Sequence, residues 1–242
     1  MVHTLPDYTT KYKMATIFGQ IDTGELAARL GGINIFDRRG DTVFQDNFET
    51  VLLKWILDTG GGDGTGVLSS EYARNGDQSV KLTSSTGAEN FAVIYKYLPV
   101  CVGTKIGFEI SFTSHVDVDR ILTDVGIYDG TTYHHATAGV SITDDRVYLI
   151  NSAGAPVILS PALKLYNYVY SFHTLKLVFD YSTGYYTRVI FDDQTFDASS
   201  YAIETSGSNI ARRMWFGLWC INSKAGNPSI YVDDAIITQN EP

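Results

Sequence analysis

The stretch FHTLKLVFDYSTGYYTRVIFDD, residues 172–193, decides the fold class of this chain. Two runs rich in Val, Ile, Leu, Phe and Tyr, at 173–181 and 186–191, flank a short segment that contains Ser, Thr and Gly. β-Branched and aromatic residues favour strands, and a short glycine-containing connection between two strands is typical of an antiparallel hairpin. The stretch therefore predicts two paired β-strands.

The same pattern continues on both sides of this hairpin. Eight further strand-like runs lie at 79–84, 91–98, 105–114, 123–128, 135–143, 147–151, 214–221 and 230–238. Turn sequences such as GGGDGTG (60–66) and YDGTT (128–132) separate them. Because so many short antiparallel strands suit two packed sheets, we predict an all-β, antiparallel two-sheet sandwich over residues 46–242, with its first and last strands adjacent.

Residues 1–45 differ from the rest of the chain. They hold one short helical pattern at 25–30 and a polar turn, DRRGD (37–41), and they have too few apolar residues for a core of their own. Such a segment lies on its own domain, docks on a neighbouring subunit or is disordered. We predict a mostly irregular N-terminal arm that serves in docking or assembly.

Composition argues against several kinds of partner. The chain has 27 acidic and 18 basic residues, for a formal net charge of −9, so a phosphate-binding surface would work against the overall field. No stretch reaches the length of about 20 apolar residues that a membrane helix needs, and the first residues lack the apolar segment of a secretory signal. Cys101 and Cys220 both lie in apolar strand-like runs, so they are either two buried thiols or one bridge.

The last strand-like run, SIYVDDAIIT (229–238), contains two neighbouring aspartates, Asp233 and Asp234. Successive side chains on a strand point to opposite faces, so one carboxylate must share a face with Ile230 and Val232 unless a bulge intervenes. A buried carboxylate is costly unless it is hydrogen-bonded, ion-paired or bound to a metal.

Six segments in a fixed order resemble a known superfamily. DNFETVLLKW (46–55), ARNGDQSVKL (73–82) and YVDDAIIT (231–238) resemble the frame of jelly-roll carbohydrate-binding modules. DVGIYDGTTYHHATAGVSI (124–142), the 172–193 hairpin and MWFGLWCIN (214–222) are similar to strands of the concanavalin A-like lectins and glucanases. The resemblance covers about residues 46–238 and implies a jelly-roll sandwich. An arm ahead of such a domain also resembles structural proteins of bacteriophage particles.

The resemblance implies a structural calcium ion where the first and last strands meet. Residue by residue it points to Glu49, to Asp234 with its neighbour Asp233, and to the Gly76–Asp77 turn, with Asp77 as a further ligand. Calcium prefers several oxygen ligands and would neutralise such a carboxylate cluster. The alternative is that Asp233 and Asp234 lie at a bulge or strand end, solvated or bonded to backbone amides.

Catalytic patterns are weak, and we expect the chain not to be an enzyme. His115, Asp117 and Asp119 alternate in SHVDVDR (114–120), but the paired glutamates of the glucanases are missing, so this pattern indicates a solvated face. His134 and His135 are adjacent and would point apart on a strand, which prevents them from chelating one ion.

The run RMWFGLWCI (213–221) indicates a binding surface. Alternation puts Met214 and every second residue through Cys220 in the core, and it puts Trp215 and Trp219 on the opposite face. This pair could stack on sugar rings, or the arm or a neighbouring subunit could cover it. We expect Tyr186 and Arg188 to extend the glycan-binding surface.

Two hypotheses of function follow. The first is a non-catalytic structural module of a larger assembly, in particular a capsid decoration or appendage of a bacteriophage virion, which contacts copies of itself and other assembly proteins through the arm and has some capacity for glycans. The alternative is an autonomous, lectin-like carbohydrate-binding module. Both place the protein on a virion surface or an extracellular particle, without nucleic acid or membrane as partner.

Overall fold

The computed structural model describes residues 39–160, 162–163, 165–222 and 226–242. Sixteen strands form in this part of the chain. They are β1 (Asp41–Asp46), β2 (Ile56–Gly60), β3 (Thr65–Ser69), β4 (Ser79–Thr83), β5 (Phe91–Leu98), β6 (Lys105–Thr113), β7 (Val118–Tyr128), β8 (Thr132–Ser141), β9 (Arg146–Ile150), β10 (Pro156–Ser160), β11 (Phe172–Asp180), β12 (Tyr185–Phe191), β13 (Gln194–Asp197), β14 (Glu204–Gly207), β15 (Arg213–Asn222) and β16 (Ser229–Gln239). Within these ranges, no helix has the length and apolar character to span a membrane.

The strands form two antiparallel sheets that pack into a sandwich, as the sequence predicts. Sheet A has the order β13-β12-β11-β6-β16-β4-β3, and β1 also pairs with β16. Sheet B has the order β10-β9-β8-β7-β15-β5-β2, and β14 also pairs with β8. The first and last strands are neighbours, with Asp41 opposite Gln239 and Asp46 opposite Ala235.

The sandwich begins earlier than the sequence indicates. Strand β1 covers residues that the sequence assigned to the arm, so the predicted boundary at residue 46 is five residues too late. The physical reason is Phe44, whose ring lies 5.5 Å from that of Phe216 and 6.3 Å from that of Trp55. The rest of the predicted arm, residues 1–38, lies outside the described residues.

The core lies between the two sheets and is mainly apolar. Phe108, Phe112 and Leu177 of sheet A and Phe216 and Leu218 of sheet B are fully buried there. A core of this kind holds both sheets rigid, so side chains on their outer faces have fixed positions.

The two cysteines are buried free thiols and do not form a bridge. Cys101 Sγ lies 3.6 Å from Met214 Sδ, and Cys220 has no exposed surface. Burial raises the pKa of Cys220 to about 12, because a thiolate would lose its hydration there.

Candidate functional site

Strand β15 presents two tryptophans on the outer face of sheet B. Met214, Phe216, Leu218 and Cys220 are fully buried between the sheets, so Trp215 and Trp219 point the other way, as alternation predicts. Both indoles are half-buried. Strand β15 is paired with β5 on one side and β7 on the other over almost its whole length, which fixes both side chains.

Aromatic rings surround Trp215 on this face. They form what we call the Trp215 cluster, which consists of Tyr95, Tyr97, Tyr128, Tyr133, His135 and Trp215. The Trp215 ring lies 5.8 Å from that of His135 and 6.4 Å from that of Tyr95. Tyr133 stacks on His135 at 5.6 Å and on Tyr128 at 4.5 Å. The cluster therefore spans β5, β15, β7 and β8 as one surface.

The absence of a side chain at Gly126 leaves space for the rings of this cluster. It lies opposite Trp215 in register, and a Cβ atom at this position would come within 2.1 Å of Trp215 Nε1 and 2.8 Å of Tyr133 Oη. The indole and the phenol thus lie over the glycine. Arg213 adds a cation at the edge of the cluster, with its guanidinium 4.8 Å from the ring centre of Tyr97 and 5.3 Å from that of Tyr128.

His135 lies between two carboxylates on the same face. Its Nδ1 is 3.0 Å from Glu204 Oε2, and its Nε2 is 3.7 Å from Asp124 Oδ1. Burial by itself would lower the pKa of His135, but the hydrogen bonds and negative charges of Asp124 and Glu204 outweigh it and raise this pKa. The sequence pattern did not identify either acid as a site residue. Glu204 belongs to β14, whose residues ETSG carry no strand signal, while Asp124 resembles any polar residue of an alternating strand.

A second row of side chains crosses the face beside the cluster. Each residue of this row is the register partner of the next one on the neighbouring strand. In the order β15, β7, β8, β9 and β10, the residues are Trp219, Leu122, Gly139, Tyr148 and Ile158, and we call them the Trp219 row. A Cβ atom at Gly139 would come within 2.5 Å of Leu122 Cδ2. The Leu122 side chain therefore occupies the space that a side chain at position 139 would need. Since strands lie about 4.8 Å apart, the row is about 19 Å long.

Polar residues line the edge of the Trp219 row. A cavity of about 490 Å³ lies over its β7–β10 end. Leu122, Tyr148 and Ile158 give this cavity apolar walls, and the polar groups that line it include Asp119, Arg120, Ser141, Asp144 and Arg146. Arg120 is ion-paired with Asp119 and Glu89, and Arg146 lies 3.9 Å from Asp144.

Tyr186 and Arg188 do not join this face, and their assignment to the surface of the two tryptophans is wrong. Both belong to β12 of sheet A. Tyr186 is 2% exposed and lies in the core, where its hydroxyl donates to the Ile150 carbonyl at 2.6 Å. Arg188 is buried and ion-paired with Glu241. Alternation gives the face of a strand but not the sheet to which the strand belongs.

Asp233 and Asp234 lie at a β-bulge, which is the alternative that the sequence left open. The pairing of β16 with β6 shifts register between Asp233 and Ile236, and Asp234 has a φ of 48°. Both carboxylates are buried rather than solvated. Asp233 accepts hydrogen bonds from the backbone N–H groups of Arg74 (2.9 Å) and Asn75 (3.3 Å). Burial, reinforced by the charge of Asp234, raises the pKa of Asp233 to about 7.

The predicted calcium ligands Glu49, Asp233 and Asp234 already have hydrogen-bond or ion-pair partners. Glu49 Oε1 accepts hydrogen bonds from the backbone N–H groups of Asp77 and Gln78, both at 2.8 Å, so Glu49 does lie on the Gly76–Asp77 turn. The Arg74 guanidinium, 3.1 Å from Asp234 Oδ2, supplies positive charge at the bulge. In the part of the chain that the structure describes, no group of three or more His, Cys, Asp or Glu side chains is arranged to hold a metal. Calcium at this position stays a prediction that rests on the resemblance alone.

The remaining histidines and acids of the sequence patterns have partners of their own. His134 Nε2 is 3.1 Å from Asp129 Oδ2 and points away from His135, as alternation requires. His115 Nδ1 accepts the Asp117 N–H at 3.1 Å, whereas Asp119 pairs with Arg120. The residues of SHVDVDR therefore do not form one catalytic group.

No protein-family model and no curated protein sequence matches this chain. Among solved structures it is similar to an endo-β-1,4-glucuronan lyase from the fungus Trichoderma reesei, with 11% identity, a TM-score of 0.54, and coverage of 82% of this chain and 96% of the lyase. It is also similar to a protein with a galectin-like fold from Bacillus subtilis, with 12% identity, a TM-score of 0.51 and coverage of 83% and 97%. A Bacillus licheniformis β-glucanase matches with 13% identity, a TM-score of 0.46 and coverage of 83% and 99%.

The sandwich therefore has the same fold as the glucuronan lyase and the galectin-like protein, which agrees with the jelly-roll sandwich that the sequence resemblance implies. At these identities the likeness shows the fold and not the activity. It nevertheless corrects the expectation that this chain is not an enzyme, because a solved structure with the same fold is an endo-β-1,4-glucuronan lyase. Missing glucanase motifs are therefore no ground for excluding catalysis.

Proposed function

We propose that the outer face of sheet B binds a linear polysaccharide. The observation that carries this proposal is the Trp219 row, an apolar strip about 19 Å long that is edged by polar side chains. The C–H faces of sugar rings pack on aromatic and apolar surfaces, while their hydroxyl groups need donors and acceptors beside them. The row and its polar edge offer both.

The length of the row indicates a chain rather than a single sugar. One hexose ring covers only a small part of a strip that crosses five strands. The charges at the edge are paired, since Arg120 contacts Asp119 and Glu89 and Arg146 lies near Asp144. We therefore expect a neutral polysaccharide, with affinity that rises with chain length until the row is filled.

Affinity electrophoresis against soluble β-glucan, xylan, mannan and alginate tests this function. Trp219→Ala should weaken retardation by one neutral polysaccharide at least tenfold, which corresponds to about 1.4 kcal/mol. Tyr185→Ala is the matched control, because Tyr185 is an exposed aromatic residue on sheet A. A wild-type chain that none of the polymers retards, or a Trp219→Ala variant that behaves as wild type, would refute the proposal.

A second candidate function is cleavage of the bound glycan. It is favoured by the position of His135, which lies between Asp124 and Glu204 within the Trp215 cluster. A histidine held in this way can donate or accept a proton at a bound sugar. Cleavage would be supported if the wild-type chain releases new chain ends from the bound polysaccharide. His135→Asn should lose this activity, and Tyr185→Ala should retain it. Polymer that stays intact after long incubation would exclude it for that substrate.

The role in a larger assembly, including a bacteriophage virion, is a separate proposal that rests on the sequence resemblance. Deletion of residues 1–40 should leave a soluble sandwich that no longer assembles if the arm docks on neighbours. The mass of the full-length and truncated chains by light scattering is the measurement. A strictly monomeric full-length chain would rule out self-assembly.

A further inference from the structure

A second cavity, of about 410 Å³, lies on the outer face of sheet A. Strands β4 and β16 provide its floor through Lys81, Ser229 and Tyr231, which are neighbours in register or along the strand. Loop residues form the rest of the lining, and they include Glu71, Tyr72, His115, Asp117, Val169 and Asn227. This cavity shares no residue with the surface proposed above, because that surface belongs to sheet B.

Two tyrosines, one from a loop and one from the floor, give this cavity an aromatic surface. The rings of Tyr72 and Tyr231 meet edge to face, with centroids 4.9 Å apart and an interplanar angle of 75°. Tyr231 is fixed from behind, since its backbone N–H donates to Thr113 Oγ1 at 2.9 Å. Tyr72 is half-exposed and offers ring surface to a ligand. Burial raises the pKa of Tyr231, and the hydrogen bond to Glu71 adds to this, so the phenol stays neutral at physiological pH.

The ionisable groups of the cavity come in two pairs. Lys81 Nζ lies 2.7 Å from Glu71 Oε2 and 5.6 Å from the ring centre of Tyr231. His115 Nδ1 accepts the Asp117 N–H and lies 3.9 Å from Asp117 Oδ2, so in this geometry the proton of a neutral imidazole is on Nε2. Each pair therefore presents a donor and an acceptor side by side.

This arrangement selects a neutral, hydroxyl-bearing ligand. A cationic ligand would seek the face of Tyr231 and the carboxylate of Glu71, but Lys81 already occupies both positions. The second carboxylate, that of Asp117, lies beside the His115 imidazole. An anionic ligand would face two carboxylates against one ammonium group. A hydroxyl group both donates and accepts, so it can bond to a paired donor and acceptor without separating them.

We propose that this cavity binds a single neutral sugar residue, with Tyr72 against the ring and with the Lys81–Glu71 and His115–Asp117 pairs on its hydroxyl groups. The volume falls within the range of about 300–1,000 Å³ that is usual for small-molecule pockets. Together with the proposed function of sheet B, on which this consequence rests, a second site on the opposite sheet would let one molecule hold two glycan chains.

Saturation-transfer NMR on the full chain tests the proposal with methyl glycosides of glucose, galactose, mannose, xylose and N-acetylglucosamine. The double variant Trp215→Ala/Trp219→Ala removes the binding surface of sheet B, so saturation that persists there reports on the cavity. We expect at least one glycoside to be saturated in this background. Adding Tyr72→Ala or Asp117→Asn should reduce that signal several-fold.

Asp197→Asn is the matched control, because Asp197 is an exposed acid on β13 at the far edge of sheet A. Asp117 is 45% exposed, so its substitution leaves the core intact, and thermal unfolding of each variant checks this. No saturation of any glycoside in the double variant, or a signal that both cavity variants leave unchanged, would overturn the proposal. Failure of the function proposed for sheet B would appear separately, as a wild-type chain that no polysaccharide retards.

Discussion

Replacing Arg74 by Met should destabilise the sandwich by about 3–5 kcal/mol at neutral pH, the usual cost of breaking a buried ion pair. The Arg74 guanidinium lies 3.1 Å from Asp234 Oδ2, and the two side chains are 6% and 0% exposed. Met has a similar length but no charge, so the substitution leaves the Asp234 carboxylate buried and uncompensated. For a domain of this size, such a loss lowers the melting temperature by about 6 to 20 °C.

The pH dependence of the stability of Arg74→Met tests whether the buried Asp234 charge causes the destabilisation. Burial raises the pKa of Asp234, and Arg74 opposes that rise, so the pKa should climb further when Arg74 is removed. A carboxyl group with a raised folded-state pKa favours folding below its unfolded pKa and loses that contribution as the pH rises through the folded value. The destabilisation should therefore shrink from about pH 8 to about pH 5.

Two further variants separate charge from contact. Arg74→Met/Asp234→Asn should recover most of the lost stability, because it removes the buried charge. Ser111→Ala measures a different bond of the guanidinium, which donates to Ser111 Oγ at 2.7 Å. Chemical denaturation at a series of pH values gives the free energies of unfolding. An Arg74→Met variant as stable as wild type at every pH would refute the reasoning.

Three other outcomes are expected. If calcium binds at Glu49 and Asp234, a chelator should lower the melting temperature, because an ion bound only to the native state stabilises it; identical melting would remove the metal hypothesis. The pKa of His135 is raised, so its stabilising contribution should be complete below about pH 6.5 and decline as the pH rises through the folded value. His135→Asn should flatten that part of the stability curve, and a curve parallel to wild type would contradict this. Cys220 should react with a thiol reagent only after denaturation, since burial raises its pKa to about 12, and fast labelling of the native chain would contradict this.

The outward position of Trp215 and Trp219 could be predicted from sequence because β15 is a regular strand. It is paired on both sides, and its buried residues are all apolar, so period-2 alternation describes it well. The ten strand-like runs that the sequence predicts correspond to β4–β9, β11, β12, β15 and β16. Six strands were missed because they are short and have few buried residues, namely β1, β2, β3, β10, β13 and β14.

Other features depend on contacts that a linear pattern does not contain. Tyr186 lies on a strand, as the sequence predicts. Its hydroxyl, however, reaches across the core to the Ile150 carbonyl of sheet B, and this contact follows from the topology and not from the alternation. The bulge at Asp234 depends on how β16 leaves its register with β6. The Trp219 row depends on four separate strand registers, each of which has to be known before Tyr148 and Trp219 can be placed in one line.

The stiffness of sheet B explains why the proposed binding surface needs no loop to form it. Trp215 and Trp219 lie on a strand that is hydrogen-bonded on both edges, and Phe216 behind them packs on Trp55 at 5.3 Å and on Phe108 at 5.2 Å. A ligand that docks on such a surface loses its own freedom but does not have to order the protein. Gly126 and Gly139 shape the surface because they lack side chains, so larger residues there would displace the Trp215 indole or the Leu122 and Tyr148 side chains. The shape of the proposed binding surface is thus set by strand register and by two glycines as much as by the aromatic residues themselves.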